Sequence, residues 1–418
     1  MRAVGLITEY NPFHRGHEHH LRESLRLTGA QVSVAVMSGH FLQRGEPALV
    51  DKWVRAETAL RAGVDLVVEL PFPWACNSAP HFARGAVSVL NSFGNSMQAL
   101  CFGSEAGDLA LLMQAEAALE RDRQGLEKDI RRRLGLGENY PRARAASVRQ
   151  AGFQENVAEV LSHPNNILGI EYLRALKESG SAVQAYTVPR IGGGFHDLEP
   201  GAHDIASATA IRHRLRQGQD VAAFLPQAAH APLFDALARG ATPDRERLLT
   251  LLLGRILQGA QAVKPFYLVE DGIEHRLAAA VEASSDYDEL VAAVKSRHFT
   301  RTRVTRMLSH VLLGVERKWM EESLATGPLF ITLLGASARG RKYLAHCRKD
   351  LQLPLIQNFS RVHAQLKRRY GRESFLSRTA LQQLDLQVRA TRYYTLLQEK
   401  WPGGPRGRDY FQSPCMLP

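Results

Sequence analysis

The sequence predicts an α/β fold: a Rossmann-like parallel sheet in the first half, followed by a mainly helical, basic C-terminal part. Three observations carry this. Short runs rich in Val, Ile, Leu and Ala, each closed by turn residues, recur through the first 105 positions. Helical stretches separate them. Basic residues gather beyond position 295, where 23 Lys+Arg face 8 Asp+Glu; this net +15 leaves −4 for residues 1–294 of a chain that totals +11.

In order, strands are expected at 3–9, 31–38, 65–71 and 98–105, and helices at 17–28, 51–63, 78–93 and 107–120. A further strand fits 183–189, and a helix begins near Ser207. This spacing implies parallel pairing with helices on both faces, joined by right-handed crossovers. Ligands of such sheets bind at the carboxyl ends of the strands, where strand order reverses. Residues 120–160 read as a charged helical insertion. Its Arg131-Arg132-Arg133 and Pro141-Arg142-Ala143-Arg144 suit either a solvated helix pair or RNA contact. Residues 1–220 are thus expected to form the catalytic domain, and 221–418 the helical part. In the latter, 248–257 is strongly apolar, Thr300 to Arg306 opens a further helix, and 329–344 reads as a small strand–turn–helix unit. The tail after Pro402, rich in Gly, Pro and Arg, is expected to be mobile.

Composition is that of a globular protein, 45% hydrophobic and 23% charged. No apolar run approaches the ~18 residues of a membrane span. The chain starts directly in a strand, without a signal-like segment. Cys76, Cys101, Cys347 and Cys415 lack metal-ligand or disulfide-framework spacing. A reducing cytoplasm is the expected location. The basic C-terminal part suits a polyanionic partner, or a solvated surface.

The most informative segment is Ile7-Thr8-Glu9-Tyr10-Asn11-Pro12-Phe13-His14-Arg15-Gly16-His17, a strand end, a turn and a helix start carrying His-x-Gly-His. His14 and His17 fall on one face of the first helical turn. That helix end offers unpaired N–H groups and a positive dipole, a site for nucleotide phosphates. The chemistry implied is nucleotidyl transfer, with attack at the α-phosphate of ATP and pyrophosphate leaving. His14 and His17 would donate to the α- and β-phosphates as charge develops there. Asn11 would bond a phosphate or cap the helix. Gly16 permits close backbone approach. A histidine pair that merely caps the helix, or a zinc site using His14, His17, His19 and His20, are the bland alternatives.

Other candidates lie at the same sheet edge. The polar loop from Ser38-Gly39-His40 to Ala48 follows the second strand, and Lys52 and Arg55 beyond it would counter phosphate or acyl charge, Arg55 being equally suited to a solvated helix surface. Gly103 would let a base or ribose lie on the backbone. Asn165 and Asn166 would read an adenine edge or cap a helix. Arg190 precedes a flexible Gly192-Gly193-Gly194 loop and would reach phosphates or stack on a base. Ile205-Ala206-Ser207-Ala208-Thr209-Ala210-Ile211-Arg212 resembles the Ile-Ser-Ser-Thr-x-x-Arg motif of the HIGH-type nucleotidyltransferases. Ser207 and Arg212 would there hold the β- and γ-phosphates.

Taken together, 5–21, 36–72, 102–105, 164–173 and 188–212, with weaker echoes at 297–315 and 331–341, resemble the bacterial tRNA(Met) cytidine acetate ligase family. The resemblance implies that ATP and acetate give acetyl-adenylate and pyrophosphate. The acetyl group then passes to N4 of the wobble cytidine of elongator tRNA(Met). It places ATP contacts on residues 7–20 (Ile7, Thr8, Glu9, Tyr10, Asn11, Pro12, Phe13, His14, Gly16, His17 and His20), and on Gly103, Asn165, Arg190 and Ile191. The basic part would bind tRNA, with Arg301, Arg303 and Arg306 as candidates. Magnesium is expected from ATP chemistry, with no carboxylate assigned to it. His40 departs from the family pattern, which has Asn after Ser-Gly, and Ala206 stands where the superfamily often has Ser. A small-molecule adenylyltransferase shares both motifs without needing the long basic part. An RNA-binding protein with a decayed nucleotide site would not keep His14, Gly16, His17, Ser207 and Arg212.

Overall fold

The computed structural model describes residues 1–121, 123–138, 140–191, 206–270, 272–296 and 299–418. Gly192, Gly193, Gly194 and Ile205 lie outside the described residues. Five strands pair in parallel: β1 (Ala3–Thr8), β2 (Val32–Ser38), β3 (Leu66–Leu70), β4 (Met97–Ser104) and β5 (Gln184–Pro189). Their spatial order is β5-β4-β1-β2-β3. Strand order therefore reverses between β1 and β4, and their carboxyl ends open a crevice there.

Side-chain alternation builds two cores from one sheet. Val32, Val34 and Val36 of β2 face one core, with Phe82, Ala86 and Leu90 of the helix Ala79–Asn91. Ala35 and Met37 face the other, with Leu21 of α1 (Arg15–Thr28) and Ala56 and Leu60 of α2 (Lys52–Arg61). Period two on the strands and buried residues on both faces are the signature of a sheet covered by helices. The helix α1 begins at Arg15 rather than at 17, because His14 caps it.

Beyond residue 220 the chain is largely helical, but it also returns to the sheet. The strand β6 (Ile331–Ala336) pairs antiparallel with β3, and β7 (Leu355–Ile356) and β8 (Cys415–Met416) both pair with β6. The strand–turn–helix unit expected at 329–344 is present, as β6 and the helix Ala338–Cys347, and its strand is part of the main sheet. A second helical core gathers around Leu252, Leu277, Leu290, Leu308 and Leu312, and Phe41 and Phe72 tie it to the loops of the sheet. In the insertion, Arg132 and Arg133 pair with Asp129, and Arg144 is buried against Glu171 at 3.2 Å. Among the described residues no helix is long and apolar enough to cross a membrane.

The tail beyond Pro402 is docked, not mobile. Lys52 of α2 is fully buried and donates to Glu69 of β3 at 2.7 Å and to Asp409 of the tail. Arg408 beside it pairs with Asp51 at 2.6 Å. Burial alone would lower the Lys52 pKa; the Asp409 and Glu69 carboxylates outweigh it and raise it. An ammonium so enclosed requires its partners, and removing one leaves an uncompensated charge. Asp409→Asn is expected to destabilise the chain by about 3 kcal/mol, read as a lower urea midpoint at unchanged slope. A loss within about 0.5 kcal/mol, the range of ordinary surface substitutions, would show that the tail contributes nothing to the fold.

Candidate active site

The turn after β1 places the histidines. Tyr10 takes a left-handed backbone (φ 47°), the Asn11–Pro12 peptide is cis, and the Tyr10 and Phe13 rings pack 4.8 Å apart in the core. Phe13 thus supports the loop from the core side. His14 is the N-cap of α1, and its Nδ1 accepts from the Gly16 N–H at 3.0 Å. His17 Nδ1 accepts from the His14 N–H at 3.3 Å. This is a capping box built from two imidazoles. Backbone N–H groups can only donate, so each Nδ1 is unprotonated and each ring proton sits on Nε2. The rings lie 3.8 Å apart. Burial, then Arg190 and Arg212, pushes His14 down to about 3. Burial, then His14 and Arg190, holds His17 well below its ordinary value. His20 is lowered to about 4, mainly by burial. All three are therefore neutral at pH 7 and present N–H donors without charge.

The positive charge comes from arginine. Ser207 caps the helix Ala208–Arg216, accepting from the Ala210 N–H at 3.1 Å. From this helix Arg212 donates to the Asn11 carbonyl at 2.8 Å, locking the second helix start to the first turn. Asn11 neither caps α1 nor keeps its oxygen for a ligand, because its Oδ1 accepts from the Leu49 N–H at 2.7 Å. Arg190 follows β5, anchored by its own N–H on the Ser104 carbonyl at 2.9 Å. Its side chain, with Gly103 and Ile191, lines the opposite wall. Glu105 caps the helix Pro164–Glu178, accepting from the Asn165 N–H at 3.2 Å, its Nδ2 at 2.6 Å and the Asn166 N–H at 2.8 Å. Asn165 is thereby turned to the cleft, whereas Asn166 Oδ1 accepts from the Ala106 N–H.

The lower rim is the 43–46 loop. Glu9 Oε1 accepts from the Gln43 N–H at 2.7 Å. The helix Arg301–Leu313 clamps the loop from outside: Arg306 donates to the Gln43 carbonyl at 2.6 Å and Ser309 to the Gly45 carbonyl at 2.7 Å. Gly45 has φ 84°, and a Cβ there would collide with the backbone of Thr305 and Arg306. Arg55, 1% exposed, donates to the carbonyls of Glu9 at 2.7 Å and Ser38 at 3.0 Å, and also to Gly39. It ties the ends of β1 and β2 together and is neither solvated nor free for phosphate. Lys52 is likewise committed to its carboxylates.

These walls enclose a cleft of about 410 Å³ at the β1/β4 reversal, within the range of small-molecule sites. Ile7, Thr8, Glu9, Tyr10, Asn11, His14, Gly16, His17 and His20 reach it, as do Gly103, Asn165, Arg190, Ile191, Ser207, Arg212 and Arg306. Pro12 and Phe13 do not, nor do Arg301 and Arg303, which pair with Asp288 and Glu270. His40 is also away from the cleft, buried with its ring 4.5 Å from Tyr394 and 5.4 Å from Trp53. Arg44, Glu46, Phe82 and Tyr172 line the cleft without having been singled out. The polar loop hinted at the first two; the aromatic pair looks like core in any single sequence. Among the described residues no three His, Cys, Asp or Glu gather as a metal site.

Because His14 and His20 titrate near 3 and 4 in the fold against 6.5 otherwise, they contribute stability that is fully present above pH 6.5 and lost as pH falls through their folded values. Urea midpoints should fall steadily from pH 7 to pH 4, and His20→Asn should flatten part of that fall. Midpoints that stay level for the parent chain would contradict the buried, neutral assignment.

Comparison with known proteins agrees with this geometry. The family model described as HIGH Nucleotidyl Transferase matches residues 1–404. A tRNA(Met) cytidine acetate ligase of Syntrophotalea carbinolica is 51% identical, covering 99% of this chain and 98% of its own length. That of Bacillus subtilis is 38% identical over 95% and 92%. The crystal structure of Thermotoga maritima TmcAL bound with alpha-thio ATP superposes with a TM-score of 0.88 at 32% identity, over 100% of both chains. Two motifs, one cleft and relatives matched along nearly the whole chain place it plainly: it belongs to the tRNA(Met) cytidine acetate ligase family, within the HIGH nucleotidyl transferases.

Proposed function

We propose that this chain is an ATP-dependent ligase that joins acetate to ATP as acetyl-adenylate and passes the acetyl group to N4 of the wobble cytidine of elongator tRNA(Met). The carrying observation is that two capped helix starts, α1 at His14 and Ala208–Arg216 at Ser207, face one cleft and are locked together by Arg212 on Asn11. Two converging N-termini with Arg190 and Arg212 suit a polyphosphate. The names of the relatives and the ATP analogue of the T. maritima structure support the same reading.

In the first step an acetate oxygen attacks the α-phosphorus, the bond to the β-phosphate oxygen breaks, and pyrophosphate leaves. His14 and His17 offer Nε2–H donors to the α- and β-phosphates, where charge grows in the transition state. Ser207 and Arg212 hold the departing β- and γ-phosphates. Gly103 and Asn165 take the nucleoside, Asn165 being oriented by Glu105. Magnesium brought by ATP would neutralise phosphate charge, and among the described residues no cluster of His, Cys, Asp or Glu is placed to hold it. Adenylation gives acetate the leaving group it lacks, and proximity offsets the weak nucleophilicity of the cytidine amine. The wobble base lies in a single-stranded loop and can be splayed into a pocket. The basic stretch beyond 295, including Arg301 and Arg303, takes the tRNA backbone, and the cytoplasm is the compartment that suits a tRNA substrate.

His17→Ala should lower acetate-dependent ATP–pyrophosphate exchange by about 100-fold or more, the usual loss for one transition-state donor. Exchange near the parent rate would remove the assigned role. Arg301→Gln with Arg303→Gln should weaken tRNA binding and reduce the slope of its salt dependence. An unchanged slope would make these two arginines purely intramolecular.

A further inference from the structure

A second cavity, of about 420 Å³, adjoins the nucleotide cleft, and Glu46 and Arg212 line both. Its far walls are Leu215, Leu248 and Tyr287, with the Thr242 hydroxyl donating to Glu399 at 2.6 Å and Arg216 exposed at the rim. We propose that this cavity receives the acceptor cytosine and that the Glu46 carboxylate takes the proton N4 loses on acetyl transfer. The inference rests on the reaction proposed above and names the site of its second half.

The geometry argues for it in three ways. An acceptor base must reach the acetyl carbonyl after pyrophosphate has left, and a chamber of nucleoside size adjoins the cleft at Arg212 and Glu46, on the side that the β- and γ-phosphates vacate. Glu46 sits on a loop that cannot drift: its carbonyl accepts from the Leu42 N–H at 2.9 Å, and the helix Arg301–Leu313 clamps the preceding residues. Arg212, Arg44 and Tyr287 face its carboxylate electrostatically, but among the described residues it makes no hydrogen bond or salt bridge, whereas Glu9, Glu105 and Glu399 are all engaged. A half-buried carboxylate shared by two cavities, with no structural bond to make, is available to a ligand.

The chemistry also selects the base. Cytosine offers an N4 amine donor to Glu46, and its neighbouring acceptors can meet Arg216. Uracil offers an O4 acceptor at the same place and would set two acceptors against each other. In the transfer step the N4 lone pair attacks the acetyl carbonyl carbon and the N–C bond forms. The C–O bond to the phosphate breaks, and AMP leaves with the electron pair. The N4 proton goes to Glu46 and from there to water.

The test compares two rates in each full-length variant: single-turnover acetyl transfer to a tRNA(Met) transcript, and acetate-dependent ATP–pyrophosphate exchange. For Glu46→Gln the ratio of transfer to exchange should fall by about 100-fold or more, the usual weight of a general base. Glu46→Asp should restore part of the lost transfer. Leu215→Trp, which fills the cavity from its far wall, should raise the KM for tRNA by about tenfold or more, equivalent to losing one well-stacked base. An unchanged ratio in Glu46→Gln, or an unchanged tRNA KM in Leu215→Trp, overturns the proposal while leaving the reaction intact. Absence of acetate-dependent exchange in the parent chain, with or without tRNA, overturns the reaction itself and this site with it.

Discussion

The site depends on one local arrangement, the pair of backbone N–H groups at the start of α1 that are accepted by imidazole Nδ1 atoms. A Ser or Asp cap would satisfy the same donors as well or better. A histidine cap does something more: by occupying Nδ1 it assigns the ring proton to Nε2. Two uncharged donors are thus fixed in tautomer by the helix they begin. Burial, and the neighbouring Arg190 with Arg212 beside His14, then keep them neutral. Cationic side chains attract a polyphosphate in its ground state as well as in its transition state. Fixed neutral donors favour the developing charge without adding to that uniform binding.

Buried arginine and lysine hold the surrounding loops in register with this helix. Arg55 would lose several kcal/mol of hydration on burial, yet each hydrogen bond from its charge to a carbonyl is worth roughly 1.5–3 kcal/mol. Its bonds to Glu9, Ser38 and Gly39 fasten the ends of adjacent strands, so the turn carrying His14 and the loop carrying Glu46 move together or not at all. Lys52 does the same at longer range, joining α2, β3 and the C-terminal tail. The basic C-terminal part is therefore tied to the catalytic sheet by charge as well as by β6, and its helix Arg301–Leu313 forms the outer wall of the site.

Much of this was legible in the sequence. The five parallel strands and the residues of both helix starts at the cleft follow from short-range patterns: hydrophobic runs, turn chemistry and two motifs. What was not legible is non-local. The antiparallel pairing of Leu66 with Ala336 leaves no trace in either segment. Lys52 and Arg55 look like any helix-surface cations until the chain folds over them. Gly and Pro around Asp409 suggest mobility, because the ammonium that anchors Asp409 is more than 350 residues away. Residue type makes Asn11 a phosphate ligand or a cap, but its Oδ1 accepts from the Leu49 N–H, and His14, one position before the helix, takes the cap. Glu46 passed unnoticed, since a carboxylate shared by two cavities differs from a solvated one only in three dimensions.

The most direct measurement is a long-range proton–nitrogen correlation spectrum of the histidines in isotope-labelled protein between pH 6 and pH 8, with and without ATP, assigned by single substitutions. The account predicts that His14 and His17 stay neutral throughout, with the proton on Nε2 and a bare Nδ1 in both. An imidazolium at pH 7, or a proton on Nδ1 of either ring, would contradict the capping arrangement and with it the neutral donors on which the proposed adenylation depends.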